Sequence, residues 1–165
     1  MPETIPLRDD LLDAVRRFAV SASRIAGVRR IALVGSLVTD KQKPKDADLL
    51  VTISDSADID SLAAIGRKLK GRLQARSSGA DVFLCSEAGE YLGRTCSYRE
   101  CHPRMACLGS QCGRGRRICD DFDVVRLSAA LLREPPLELW PSVVRRTLIP
   151  QDVERVLVKR IGIDA

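Results

Sequence analysis

Along the first half of the chain the spacing of apolar residues changes period in a regular order. Leu7, Leu11, Leu12, Val15, Phe18, Ala22 and Ile25 recur at three- and four-residue steps, the stripe that an amphipathic α-helix buries. Asp9 and Asp10 lie near its positive end, and Gly27 is placed to stop it. Arg30 to Val34 is then a short aliphatic run ending at Gly35-Ser36, which reads as a buried strand. A polar loop with Lys41, Lys43, Pro44 and Lys45 leads to Ala47–Ile53, polar and apolar by turns at first, then wholly apolar, and again strand-like. Ser54 to Asp58 supplies turn and N-cap residues, and Ile59, Leu62, Ile65, Leu69 and Leu73 form a second helical stripe. Gly79 opens a third strand, Ala80–Cys85.

The order helix, strand, strand, helix, strand predicts an α/β (α+β) fold, a small mixed sheet flanked by helices. From Ser86 the pattern breaks. Glycine, arginine and cysteine dominate through Arg117 with no sustained period, and such a stretch cannot build a core unaided. Leu127, Leu131 and Leu132, then Val153, Val156, Leu157 and Ile161 beyond Pro135-Pro136, predict two or three closing helices. Three parts follow: a core over 1–90, a cysteine-rich segment over 91–119, and a C-terminal helical segment over 120–165 that packs on the core. There is no internal repeat.

Composition adds two constraints. A chain of 165 residues, 45% hydrophobic and only 4% aromatic, buries a core of Leu, Ile, Val and Ala. Lys and Arg exceed Asp and Glu by 27 to 22, a balance that suits a phosphate-rich partner such as a nucleotide or nucleic acid and equally suits a solvated basic surface. No run reaches the roughly 18–20 apolar residues of a membrane span, and the N-terminus lacks the basic start and apolar stretch of a signal peptide. The expectation is a cytoplasmic protein with no membrane partner.

The candidate chemistry begins with Asp46 and Asp48, which flank one residue at a strand start. Side chains on a strand alternate, so both carboxylates emerge on one face. Their mutual repulsion is relieved by a divalent cation such as Mg²⁺ that also takes substrate phosphates. Gly35-Ser36 ends the preceding strand, where a glycine lets backbone amides approach a phosphate and the hydroxyl can donate to it. Asp81 is placed to be a third carboxylate. An isolated Asp-x-Asp also suits a turn or cap.

The run IALVGSLVTDKQKPKDADLLVTI resembles the signature of the nucleotidyltransferases of the DNA polymerase β superfamily, in which a strand ends in Gly-Ser and Asp-x-Asp opens the next. Its nearest likeness is to the minimal, antitoxin-like members. The resemblance covers roughly Leu7 to Ser86. It implies a nucleotidyltransferase-like core and a transferase that moves a nucleoside monophosphate from a nucleoside triphosphate to an acceptor. Gly35 and Ser36 would hold the triphosphate, and Asp46, Asp48 and Asp81 would bind Mg²⁺ or Mn²⁺ as catalytic carboxylates. The family commonly carries an arginine and a further glycine after Gly-Ser, where this chain has Leu37, Val38 and Thr39. Lys41, Lys43 or Lys45 would then supply the missing charge. No long helical domain follows to clamp base and acceptor, so a partner protein would supply those helices.

Cys96, Cys101, Cys107 and Cys112 are separated by four, five and four residues, and four thiolates satisfy tetrahedral Zn²⁺. The expectation is a structural zinc, with His102 as an alternative ligand, Cys119 outside the site and Cys85 a buried apolar residue. Arg94, Arg99, Arg104, Arg114, Arg116 and Arg117, with Tyr91 and Tyr98, either form a nucleic-acid surface or solvate a loop-rich segment. The alternative to an enzyme is a catalytically degenerate nucleotidyltransferase fold that binds a protein or nucleic acid through its zinc segment.

Overall fold

The computed structural model describes residues 7–97, 117–120, 122–123 and 125–164. Its centre is a seven-stranded mixed sheet in the order β5-β4-β3-β2-β1-β6-β7. The strands are β1 (Val28–Val34), β2 (Asp46–Ile53), β3 (Gly79–Ser86), β4 (Tyr91–Thr95), β5 (Ile118–Cys119), β6 (Leu137–Trp140) and β7 (Val144–Arg145). Only β2 and β3 run parallel, and every other neighbouring pair is antiparallel. That parallel step needs a crossover, supplied by helix α2 (Ile59–Gln74).

Alternation along the strands divides the core in two. Ile31, Leu33, Leu49, Val51, Val82 and Leu84 belong to the larger cluster, shared with α1 (Leu7–Ala22), α2 and the C-terminal helix. Ala32, Val34, Leu50, Phe83 and Cys85 belong to a smaller cluster with Leu132 of α3 (Ala129–Arg133). The sheet thus has a back face covered by long helices, while on the front face the described residues that pack on the strands are Leu131 and Leu132 of α3 together with Tyr91, Val125 and Leu127.

The helices form where the periods predict them, with local reasons for their ends. Asp58 accepts a hydrogen bond from Ser61 N at 3.1 Å and caps α2, and Gly27 takes φ +86° in the turn between α1 and β1. Asp10 pairs with Arg76 at 2.9 Å and Asp9 with Arg155 at 3.1 Å. The acidic first turn of α1 is therefore tied to the far end of α2 and to the C-terminal helix.

The C-terminal part differs from the helical segment expected there. Leu127 lies outside any helix or strand, Leu131 and Leu132 lie in the five-residue α3, and Leu137–Arg145 adds β6 and β7 to the core sheet through β1. The closing helix is a π-helical stretch, Val153–Val158, continued by α4 (Lys159–Asp164). Val153, Val156, Leu157 and Ile161 pack on the core as their spacing predicts. Among the described residues no helix is long and apolar enough to cross a membrane.

Candidate functional site: three aspartates beside the Gly35-Ser36 turn

The two central parallel strands start at the same level, and that level carries the carboxylates. Asp46 stands opposite Gly79, and Asp48 stands opposite Asp81 of β3 and Val34 of β1. Asp46 and Asp48 share the front face with Leu50, and Asp81 shares it with Phe83. Val34 is followed at once by Gly35, so the end of β1, the start of β2 and the start of β3 meet at one corner.

Two glycines make room for the carboxylates. A Cβ on Gly35 would lie 2.5 Å from Asp48 Oδ2, and one on Gly79 would lie 2.5 Å from Asp46 Oδ1. Gly35 also has φ +78°, a conformation that favours glycine. After it, Ser36–Val38 makes one 3₁₀ turn, closed by bonds from Thr39 N (3.1 Å) and Thr39 Oγ1 (2.6 Å) to Ser36 O. Lys41, Lys43 and Lys45 are exposed along the loop, whose end is tied to β3 by Gly79 N donating to Lys45 O at 3.1 Å.

The electrostatics follow from this crowding. The Asp48 carboxyl is pushed up to about 7, by burial first and then by the charges of Asp81 and Asp46. Arg94 on β4 is the nearby counter-charge, its Nη1 donating to Asp81 Oδ1 at 3.3 Å. Among the described residues no three or more His, Cys, Asp or Glu side chains are gathered as a metal-holding group. The three aspartates form one anionic corner without being drawn into a ready-made cage. Oxygen ligands of this kind suit a hard divalent cation, and burial beside like charges is the condition such a cation relieves.

Of the cysteines, Cys85 is buried and its Sγ lies 3.1 Å from Thr52 Oγ1. Cys96 is buried after β4, its N–H donating to Arg117 O at 2.8 Å, and Cys119 stands on β5 opposite Arg94. The β4–β5 ladder therefore brings Cys96 and Cys119 to the base of the cysteine-rich stretch. Cys101, His102, Cys107 and Cys112 lie outside the described residues, as do Tyr98, Arg99, Arg104, Arg114 and Arg116.

Two features of the corner have little signal in the sequence. Arg94 reads there as one of several arginines near the cysteines, yet it reaches Asp81 through β3–β4 pairing. Gly79 reads as a strand opener; its bare Cα is what accommodates Asp46.

The class defined by fold and corner is a mixed α+β protein with three aspartates at the mouth of two parallel strands. Residues 3–104 match the family of unknown function DUF6932, which is more than half of the chain, and the protein belongs to that family. The match includes Gly35, Ser36 and all three aspartates and ends before α3, β6 and β7. No curated protein and no solved structure matches the chain.

Proposed function

We propose that this protein is a nucleotidyltransferase of the polymerase β type, which moves a nucleoside monophosphate from a nucleoside triphosphate to an acceptor hydroxyl. The observation that carries the reading is the placement of Asp48. It lies beside Gly35, opposite Asp81 and two residues from Asp46, with its carboxyl raised by burial and by both neighbours. Such a corner is costly without a cation and favourable with one. Asp46 and Asp48 would hold Mg²⁺ or Mn²⁺, with Asp81 joining through the oxygen that Arg94 leaves free. The ion would supply charge neutralisation at the α-phosphate.

The chain's own residues carry the remaining roles. The backbone at Gly35 and Ser36, with the Ser36 hydroxyl, would hold the triphosphate, and Lys43 and Lys45 would give its outer phosphates positive partners. The acceptor oxygen would bond to the α-phosphorus as the bond to the bridging oxygen breaks, and pyrophosphate would leave with that electron pair. Asp81 would take the acceptor proton. The cysteine-rich stretch would hold a structural zinc through Cys96, Cys101, Cys107 and Cys112 or His102.

A second reading, a binding module on a degenerate fold, is favoured by the Arg94–Asp81 pair, which occupies one carboxylate with a side chain. The two separate in one assay. The full chain is incubated with each α-labelled nucleoside triphosphate, Mg²⁺ or Mn²⁺ and a cell extract as acceptor source. Transfer of label supports the enzyme. No turnover, together with nucleotide binding that ignores divalent ions, overturns it.

A further inference from the structure

The loop that joins Gly35 to β2 has one 3₁₀ turn and little other regular structure, yet it must present backbone amides in a fixed shape. Its support comes from a buried cation. Arg8, on the first turn of α1, is only 7% exposed. Its Nη2 donates to Leu37 O at 3.1 Å and its Nη1 to Lys41 O at 2.7 Å. On its other side Nε and Nη2 donate to the two carboxylate oxygens of Asp152, at 2.6 and 3.2 Å. Asp152 in turn accepts from Val153 N at 2.8 Å, where the closing helix begins.

A planar guanidinium can bridge two carbonyls and a carboxylate at once, which an ammonium cannot. A buried arginine also needs such partners to offset its desolvation. The three segments so joined are the start of α1, the loop after Gly35-Ser36 and the start of the closing helix. None makes this connection through its backbone.

We infer that Arg8, oriented by Asp152, is a positioning residue that sets the shape of the Gly35–Lys41 loop and thereby its grip on the triphosphate. For the nucleotide, this role rests on the nucleotidyltransferase reading; for the order of the loop, it does not. Arg8 touches no reacting group. Its effect is on binding through the loop, so its loss weakens nucleotide affinity more than the chemical step.

The test uses the full chain with Arg8→Lys and Asp152→Asn, and Arg17→Ala as a control on the same helix. Arg8→Lys keeps the charge and can still reach Asp152 but cannot span both carbonyls, so the fold survives. Hydrogen exchange of residues 36–41 should accelerate about tenfold or more, with α2 and β1 unchanged. KM for the nucleoside triphosphate should rise about tenfold with kcat within about threefold. Unchanged loop exchange in the folded variants overturns the inference, as does a rise spread evenly over the chain or a fall in kcat at constant KM. If the wild type turns over no nucleoside triphosphate, the nucleotidyltransferase reading fails separately. Loop exchange alone then decides Arg8, faster exchange upholding its role and unchanged exchange refuting it.

Discussion

The two ends of the sheet's front face are built from the same strands and handle charge in opposite ways. At the far end of β1 and β2, Arg30 donates to Thr52 Oγ1 at 3.1 Å and to Leu132 O, and pairs with Glu138 at 3.4 Å. Glu138 also pairs with Arg146 at 2.9 Å, and Leu132 of α3 lies over the strands. About 13 Å along β2, four residues at the strand rise, Asp46, Asp48 and Asp81 crowd together with Arg94 beside only one of them. One end is balanced by ion pairs. The other gathers three half-buried carboxylates, a crowding that folding alone does not reward.

The strongest way to break the contrast is Asp48→Asn. Under the proposed function, the amide keeps the shape and removes a charge the ion would need, so nucleotide transfer should fall by about 100-fold or more. The metal-free variant should melt no lower than the wild type. Equal transfer rates would end the functional account of this corner. At the balanced end, Arg30→Ala should leave transfer chemistry intact in the folded protein. Its cost should instead be about 2–4 kcal/mol of stability, measured by denaturant unfolding, because Thr52 and a carbonyl of α3 lose their donor and Glu138 loses one of its two arginine partners.

The charged end should also report itself through pH. In the unfolded chain Asp48 ionises near 3.8; folded, it does so near 7. Its folded pKa is raised, so the stability it contributes is fully present below about 4 and lost as pH rises through about 7. The metal-free wild type should therefore lose stability across that window, and Asp48→Asn should flatten the curve. If the corner holds Mg²⁺ as proposed, the ion would bind the ionised form and should raise Tm more at pH 8 than at pH 5. Thermal melts in a pH series, with and without the ion, measure both effects.

The sequence discloses these two ends unequally, for physical reasons. Helices α1 and α2 each carry a helical period along their length, and β1 to β3 are apolar runs bounded by turn residues, so all five can be read locally. Asp46 and Asp48 are legible because alternation alone puts them on one face. Asp81 joins them through strand register, which the resemblance implies and no local pattern states. Strand β6 is four residues long with a buried Glu138 at its second position. Among the described residues its carboxylate pairs with Arg30 and Arg146, and the strand's pairing with β1 spans about a hundred residues. The same holds for Arg8 and Asp152, joined across 144 positions. Short elements whose burial depends on distant partners leave no period behind, and here they form the balanced end and the support of the loop.

The smallest expected effect sharpens the comparison most closely, because it probes the satisfied end without removing a charge. Thr52 Oγ1 accepts from Arg30 Nε, which leaves the hydroxyl proton to be shared with Cys85 Sγ at 3.1 Å. Cys85 itself is 1% exposed and packs with Ala32, Leu50 and Phe83. In Cys85→Ala the sulfur is lost, but Thr52 keeps its bond from Arg30 and the cavity is that of one sulfur atom. The cost should be about 1 kcal/mol, the sum of a weak hydrogen bond and a small void. Transfer activity should not change, since Cys85 stands four residues along β3 from Asp81. If Cys85→Ala instead lowered kcat while leaving stability intact, the two ends of the face would be coupled, and the division between a structural end and a functional end would have to be given up.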